Sequence, residues 1–187
     1  MRNKVLIVQN KHIRDLNISP LECVDWIDES FRMKYNAQLP AKISVHPQGN
    51  DFFTSMPVLL PPPYNYFGIK EVCRISGREP ALSSDILLYD SITGYLLALM
   101  DGDWITTMRT GAVAALSIRT LQKADTTSYS FIGLGNTARA TALCLLSIFE
   151  DKEIELILCD LELPDGTAME LFHTLRRVAG MFQMKNP

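Results

Sequence analysis

Two glycines and an alanine at fixed spacing are the residues of this sequence best suited to bind a phosphate. Gly133, Gly135 and Ala138 form the pattern G-x-G-x-x-A within the run GLGNTA. The first glycine permits a tight turn, and the second lets the backbone approach a pyrophosphate closely. The alanine would let a following helix pack closely on its strand. The same pattern also occurs where a glycine turn joins a strand to a helix for structural reasons alone.

The segments on either side of this run have the composition of a strand and a helix. Residues 129–132 are mostly apolar, and a stretch rich in alanine and leucine follows the glycines. A strand, a glycine turn and a helix in that order are the context in which the pattern favours dinucleotide binding. The helix would direct its free N–H groups and the positive end of its dipole at the phosphates.

Arg109 and Thr110 are a second candidate group, because they precede a segment of small and aliphatic residues at 112–121. We expect that segment to be a helix with both residues at its start. An arginine beside a helix amino terminus complements the dipole poorly unless the two share an anion. A solvated or salt-bridged arginine is the alternative.

Lys70 is a third candidate, lying between Ile69 and Glu71 on a predicted strand at 67–74. A lysine in such a place is usually solvated and points away from the core. In a closed site it could instead lose its charge and serve as a base or an amine partner.

The elements that must position these groups differ in type along the chain. Residues 5–8 read as a first strand, and Ser19 and Glu22 have the spacing of a capping box that begins a helix. Strands then follow one another with short turns. They are predicted at 41–46, 51–56, 67–74, 85–89 and 95–100.

This succession predicts one mainly antiparallel sheet with the Ser19 helix packed on it, its last two strands forming a hairpin. After residue 126 the pattern changes to strand, helix, strand. We therefore expect an α+β domain over residues 1–125, followed over 126–187 by the start of an α/β domain.

Composition and charge exclude several classes of function. The chain has 187 residues, 47% of them hydrophobic, and a net charge of −3. That charge gives no electrostatic footprint for nucleic acid or an anionic membrane, and no apolar run is long enough to span a bilayer. The four cysteines lack C-x-x-C spacing, which favours buried, reduced thiols in a cytoplasmic protein. The three histidines suggest no metal site.

Five segments together resemble the ornithine cyclodeaminase/mu-crystallin family of NAD(P)-dependent enzymes. They are FTSMPV, FGIKEV, ITGYLLALMDG, ITTMRTGAVAAL and IGLGNTA, in that order. The resemblance implies a substrate-binding and dimerisation domain that wraps around a Rossmann domain. It also implies a small amino or imino acid substrate, NAD or NADP as cofactor, and a homodimer or higher oligomer.

The resemblance assigns substrate roles to four residues. Lys70 matches a lysine that contacts the substrate carboxylate or acts on its amine, and is the catalytic candidate. Arg109 matches an arginine that clamps the carboxylate, a task for which a guanidinium suits better than an ammonium. Met56 matches the Met-Pro step at the substrate pocket, although plain packing explains a methionine equally well. Lys42 stands near the place where the family often carries another arginine, which leaves the choice of substrate open.

The resemblance also assigns cofactor roles. Thr110 matches a residue that touches a cofactor phosphate. The pyrophosphate turn corresponds to Gly133, Gly135, Asn136, Thr137 and Ala138. Asp160 ends a predicted strand at 154–159, and an acidic residue there binds the ribose 2′-hydroxyl and favours NAD over NADP.

The last segment also resembles something else. The run from Leu156 to Gly166, LILCDLELPDG, is similar to the phosphoacceptor segment of response-regulator receiver domains.

Members of the ornithine cyclodeaminase/mu-crystallin family are considerably longer than this chain and supply a catalytic aspartate from beyond it. We therefore expect a truncated oxidoreductase with little activity. The alternatives are a non-catalytic nucleotide-binding or interaction fragment, or a fusion whose receiver-like tail begins within residues 150–156.

Overall fold

A computed structural model describes residues 4–159 of the chain, which combine helices with two separate sheets. In chain order the elements are β1 (Leu6–Val8), α1 (Asn10–Arg14), α2 (Pro20–Met33), a 3-10 turn (Lys34–Asn36), β2 (Ile43–Val45), β3 (Phe52–Leu59), β4 (Tyr66–Arg74), β5 (Leu82–Asp90), β6 (Leu96–Asp101), α3 (Asp103–Leu121), β7 (Ser128–Ile132), α4 (Asn136–Ile148) and β8 (Glu155–Cys159). None of these helices is both long enough and apolar enough to cross a membrane.

The described chain groups into two compact units. The first holds residues 4–17 and 29–106, and the second holds residues 18–28 and 107–159. The Ser19 helix was expected to pack on the sheet, but its first part, residues 18–28, groups with the second unit. The functional domain boundary predicted near residue 125 stays a prediction.

The first unit is built on a six-stranded sheet with the order β1-β6-β5-β4-β3-β2. Every neighbouring pair is antiparallel except β1 and β6, which are parallel. The predicted single, mainly antiparallel sheet is therefore confirmed, as is the hairpin of β5 and β6. The hairpin turn is held by Asp90, whose carboxylate accepts the N–H groups of Ile92 and Thr93.

Strand β3 runs further than its sequence predicted, through Pro57 to Leu59. Its pairing with β2 ends at Ser55, so Pro57 lies where β3 has a partner on one side only. A proline is tolerated at such an edge position because no second ladder needs its missing N–H group.

The two faces of this sheet differ. One face carries side chains that are almost completely buried, among them Thr54, Val72, Ser84 and Ala98. These four lie in registered rows across β3 to β6, so they share a face.

The opposite face carries an apolar row that crosses five strands. Register places its members side by side. The apolar row consists of Ile7, Pro57, Ile69, Leu87 and Leu99, of which Ile7 is 61% and Leu99 37% exposed.

The second unit contains a strand–helix–strand repeat in which β7 and β8 pair in parallel and α4 connects them. A parallel pair needs such a crossover connection, so this is the arrangement with which an α/β domain begins. Val24 of α2 and Cys144 and Leu145 of α4 are fully buried here. Asp28 and Arg119 form an ion pair between α2 and α3 at 3.7 Å.

Helix α2 begins with the predicted capping box. The Ser19 N–H group and hydroxyl both donate to Oε2 of Glu22, at 2.9 and 2.8 Å, and the Glu22 N–H group donates to the Ser19 hydroxyl. The backbone N–H bond, followed by the hydroxyl bond, lowers the pKa of Glu22. The sequence signature therefore corresponds to the contacts it predicts.

All four cysteines are free thiols, but they are not all buried as expected. Cys23 and Cys144 are buried, Cys73 is half-buried, and Cys159 at the end of β8 is exposed. Burial raises the pKa of Cys144 to about 12, so this thiol stays protonated at neutral pH.

Candidate functional site

Helix α3 begins at Asp103, nine residues before its predicted start. The Asp103 N–H group donates to the Asp101 carboxylate, and the Asp103 carboxylate accepts the Ser84 N–H group at 2.6 Å. The Ser84 and Thr106 hydroxyls share a further hydrogen bond at 2.9 Å. These contacts fix the helix start through strand β5, a partner that the local sequence does not reveal.

Arg109 therefore lies in the second turn of α3. Its predicted position at the amino terminus of the helix, where it would oppose the helix dipole, is wrong. The residue as a whole is exposed, yet partial burial of its guanidinium lowers its pKa. An arginine keeps its proton at any ordinary pH, so the shift reflects lost hydration rather than lost charge. Among the described residues no carboxylate pairs with Arg109. A partly dehydrated cation with no carboxylate partner among residues 4–159 suits an anionic ligand.

Lys70 lies on the face of the sheet that carries the buried side chains. Its register partners are Met56 on β3 and Ile86 on β5, and side chains directly opposite in such pairs lie about 5 Å apart at Cβ. Val72, two residues on, is 7% exposed on the same face, and Lys70 itself is half-buried. The lysine is thus not the outward, solvated residue that its strand position alone suggested.

Lys70 and Met56, two of the four proposed substrate residues, are therefore neighbours. Lys42 directly precedes Ile43, the first residue of β2, which pairs with Ser55. Lys42 is exposed. Arg109 belongs to the second unit, and its convergence with Lys70 on one substrate stays a prediction.

The glycine turn has the backbone that its motif predicts. Gly133 has a φ of +86°, a left-handed conformation that favours glycine, and its N–H group donates to the Cys159 carbonyl at 2.8 Å. Leu134 is buried, and Gly135 is the residue that caps α4. A Cβ atom added at either glycine would meet no atom of the described residues within 4 Å. The turn thus borders open space.

The N-cap residue of helix α4 is a glycine, which has no side chain to accept the first N–H groups of the helix. The first intrahelical bond runs from the Arg139 N–H group to the Gly135 carbonyl, and no side chain within residues 4–159 caps the helix. The N–H groups of Asn136, Thr137 and Ala138 precede that bond and so lack an acceptor within the helix. Open space, a glycine cap and free N–H groups together fit the pyrophosphate of a dinucleotide.

Gly111 is a residue whose importance was not inferred from the sequence. A Cβ atom there would lie 2.5 Å from the Ala140 carbonyl carbon and 2.6 Å from the Thr141 nitrogen, so α3 and α4 touch at this point. Close packing was predicted for Ala138, which is half-buried, whereas Ala140 is 2% exposed. A glycine in the middle of an otherwise regular helical segment was the available signal.

Asp160, the proposed ribose ligand, lies outside the described residues, as does most of the receiver-like segment. Its first part, through Cys159, belongs to β8 and pairs with β7 as an ordinary parallel strand. Within residues 4–159 no group of three or more His, Cys, Asp or Glu side chains is placed to hold a metal ion.

The sequence model of the ornithine cyclodeaminase/mu-crystallin family matches residues 3–167. The chain belongs to that family. The match continues through residues 150–156, the segment in which a fusion junction was considered.

Known proteins of the family resemble the chain in sequence and fold. Alanine dehydrogenase of Archaeoglobus fulgidus is 28% identical over 158 residues, which cover 81% of this chain and 48% of that protein. A solved archaeal alanine dehydrogenase dimer with bound NAD is 25% identical, with a TM-score of 0.81 over 92% of this chain and 53% of the other.

A third relative extends the comparison to imino acids. The Δ1-pyrroline-2-carboxylate reductase of Thermococcus litoralis, solved with NADH and L-proline, is 27% identical. Its TM-score is 0.80 over 95% of this chain and 55% of that one. The chain thus spans about half the length of the relatives it matches. Its mixed α+β fold corresponds to part of their fold.

Proposed function

We propose that this chain binds NAD(H) and belongs to an oxidoreductase that acts on a small amino or imino acid. The observation that carries the proposal is the turn from β7 to α4. There Gly133 adopts a left-handed conformation, Gly135 borders open space, and the helix begins with N–H groups that lack helical acceptors. The NAD and NADH complexes of the solved relatives support NAD as the dinucleotide, and NADP remains the alternative.

The proposed substrate residues supply opposite charge to a carboxylate. Arg109 would clamp the carboxylate with its guanidinium. Lys70, half-buried beside Met56, would contact the carboxylate or exchange a proton with the amino or imino nitrogen. Lys42 would set which side chain the substrate carries. When bound, the nicotinamide supplies or accepts the hydride, whether the overall chemistry is reduction or cyclisation with ammonia loss.

The proposed cofactor residues would bind different parts of the dinucleotide. Thr110 would touch a phosphate from α3, and the N–H groups of Asn136, Thr137 and Ala138 would hold the pyrophosphate. Asp160 would bind the ribose hydroxyls.

A homodimer is part of the proposal. The apolar row on the sheet face opposite Lys70 would be covered by a second copy of the chain, because exposed apolar surface of this kind marks interaction sites. The archaeal alanine dehydrogenase relative is a dimer. Sedimentation velocity of the purified chain, over a tenfold range of concentration, tests this part.

Titration with NADH tests the proposed function directly. We expect quenching of protein fluorescence or enhancement of NADH fluorescence, with saturation. Alkylation of the exposed Cys159 thiol is a readout independent of turnover. This residue lies beside the turn, because its backbone carbonyl accepts the Gly133 N–H group. Bound NADH should slow alkylation of this thiol, while an equal concentration of AMP should slow it less. No saturable binding and no protection would refute the proposal.

Turnover is measured by NADH absorbance with Δ1-pyrroline-2-carboxylate. We expect the 187-residue chain to bind NADH weakly and to turn over little substrate. The resemblance implies a catalytic aspartate, and no described residue has been assigned that role. Loss of a positioned acid or base alone costs about 10²–10⁴ in rate. Measurable turnover, however slow, would support the oxidoreductase, whereas saturable binding with no turnover above background would favour the second candidate, a non-catalytic nucleotide-binding role.

A further inference from the structure

Gly111 occupies a position where glycine is unfavourable for the helix itself. It lies in the interior of α3, which runs over Asp103–Leu121, and glycine is the poorest helix former after proline. A glycine in such a place needs a reason in packing. Its neighbours Ala112 and Ala115 are fully buried, so this side of the helix is closely covered.

The reason is a contact between backbones. A Cβ atom at Gly111 would lie 2.5 Å from the Ala140 carbonyl carbon, 2.6 Å from the Thr141 nitrogen and 2.7 Å from the Ala140 Cβ. Two of these three atoms belong to the backbone of α4, so no rotation of a side chain could relieve the overlap. Any larger residue must push the two helices apart.

This contact adjoins the residues proposed to hold the dinucleotide. Thr110 immediately precedes Gly111 on α3. Ala140 lies four residues after Asn136, the first residue of α4, which corresponds to about 6 Å along the helix axis. The Thr141 hydroxyl also donates to the Thr137 carbonyl at 2.8 Å, which ties the contact to the first turn of α4.

We infer that Gly111 is a positioning residue of the dinucleotide site, an inference that rests on the proposed function. By letting α3 and α4 touch, it fixes the separation between Thr110 and the free N–H groups of Asn136, Thr137 and Ala138. A phosphate held from both helices requires that separation. Gly111 itself touches no ligand.

The test compares NADH affinity and thermal stability in matched variants of the full chain. Gly111→Ala should weaken NADH binding at least about tenfold, since misplacement of binding groups by 1 Å has effects of that order or larger. Gly111→Val should weaken it further. Leu145→Ala is the control, because it removes a fully buried side chain from α4 without adding atoms at the contact. It should lower the melting temperature and leave NADH affinity within about twofold.

The outcomes separate the inference from the proposed function. If the unaltered chain does not bind NADH, the proposed function fails and the inference falls with it. If it binds and Gly111→Ala binds equally well, or Leu145→Ala loses affinity in proportion to its stability, the inference alone is overturned. If Gly111→Ala does not fold, NADH affinity is measured for Ala140→Ser instead. This variant adds an atom to the same contact from the α4 side. Reduced affinity with a folded protein would support the inference, and unchanged affinity would refute it.

Discussion

The proposed sites on the sheet around Lys70 and at the turn around Gly135 differ in the part of the chain that would bind the ligand. On the sheet, side chains would bind it, and register sets which of them are neighbours, as with Lys70 and Met56. At the turn, backbone N–H groups would bind it, because an added Cβ atom at Gly135 meets no atom of residues 4–159 within 4 Å.

Because of this difference, the two proposed sites should respond differently to mutation. A side-chain site is weakened when atoms are removed, and the fold often tolerates or even favours the loss of a half-buried charge. A backbone site is weakened when atoms are added, and the addition can stabilise the fold while it blocks the ligand. At both sites, therefore, a mutation can lower ligand affinity while the stability of the fold stays equal or rises.

The largest effect is expected at the turn. Gly135→Asp should abolish saturable NADH binding, a loss of at least about a hundredfold, or about 2.7 kcal/mol. The new carboxylate would accept the N–H groups of the first turn of α4 and would repel the pyrophosphate. The same carboxylate is a good helix cap that complements the dipole, so the melting temperature should stay equal or rise.

Gly133→Ala is the matched control within the same turn. Its φ of +86° makes any Cβ costly, by about 1–2 kcal/mol, so this variant should lose stability as well as affinity. If Gly135→Asp lost stability like Gly133→Ala, or kept its NADH affinity, the description of Gly135 as an open backbone site would be wrong.

A smaller effect is expected on the sheet. Lys70→Met should weaken binding of a carboxylate probe such as L-proline about tenfold or more, as expected for loss of a charged hydrogen bond worth about 1.5–3 kcal/mol. NADH affinity should be unchanged. Methionine keeps the unbranched side chain and matches the apolar neighbours Met56 and Ile86, so the change in proline affinity measures the loss of the charge.

Lys42→Met provides the comparison, since Lys42 is exposed and directly precedes the first residue of β2. Calorimetry with L-proline should show a smaller change for this variant than for Lys70→Met. An equal loss in both would mean that net charge, rather than the buried face of the sheet, attracts the carboxylate.

The smallest expected effect is a change in the stability of the fold with pH, and we expect it in both units. Asp51 of the first unit accepts the Ser76 hydroxyl and N–H group at 2.7 and 2.8 Å, and these bonds lower its pKa. In the second unit, the hydrogen bonds from the Ser19 N–H group and hydroxyl lower the pKa of Glu22. A carboxylate with a lowered folded pKa stabilises the fold above its unfolded pKa, about 3.9 for Asp and 4.3 for Glu, and loses that contribution as pH falls through the folded value.

Urea denaturation at pH 6 and at pH 3 measures this loss. Asp51→Asn and Glu22→Gln should each be less stable than the unaltered chain at pH 6, and the difference should shrink at pH 3. A difference that stays constant with pH would show that the serine bonds do not depend on the carboxylate charge.

The sequence predicted best where the decisive contacts are local. The capping box of Ser19 and Glu22 spans four residues, and the glycine turn spans six, so their signals and their partners lie together. The antiparallel sheet followed from successive strands joined by short turns. The family resemblance, carried by short segments in order, was confirmed.

Prediction failed where distant contacts decide. The start of α3 depends on Ser84, which is far from Asp103 in sequence, while the β-branched run of Ile105 and its neighbours argues locally against a helix. Gly111 meets Ala140 on another helix, so its reason cannot be read from nearby residues. The grouping of residues 18–28 with the second unit is of the same kind.

The parallel pairing of β1 with β6 has a consequence for how the chain is made. Leu6 pairs with Ala98, so at ordinary rates of synthesis roughly 5–20 s separate the two partners. During that interval the antiparallel strands from β2 to β6 emerge in order and pair with neighbours already present, whereas β1 waits without a ladder. We therefore expect the first strand to be synthesised to be the last to join the sheet. We also expect an extension fused to the amino terminus to affect that final step more than the pairing of the other five strands.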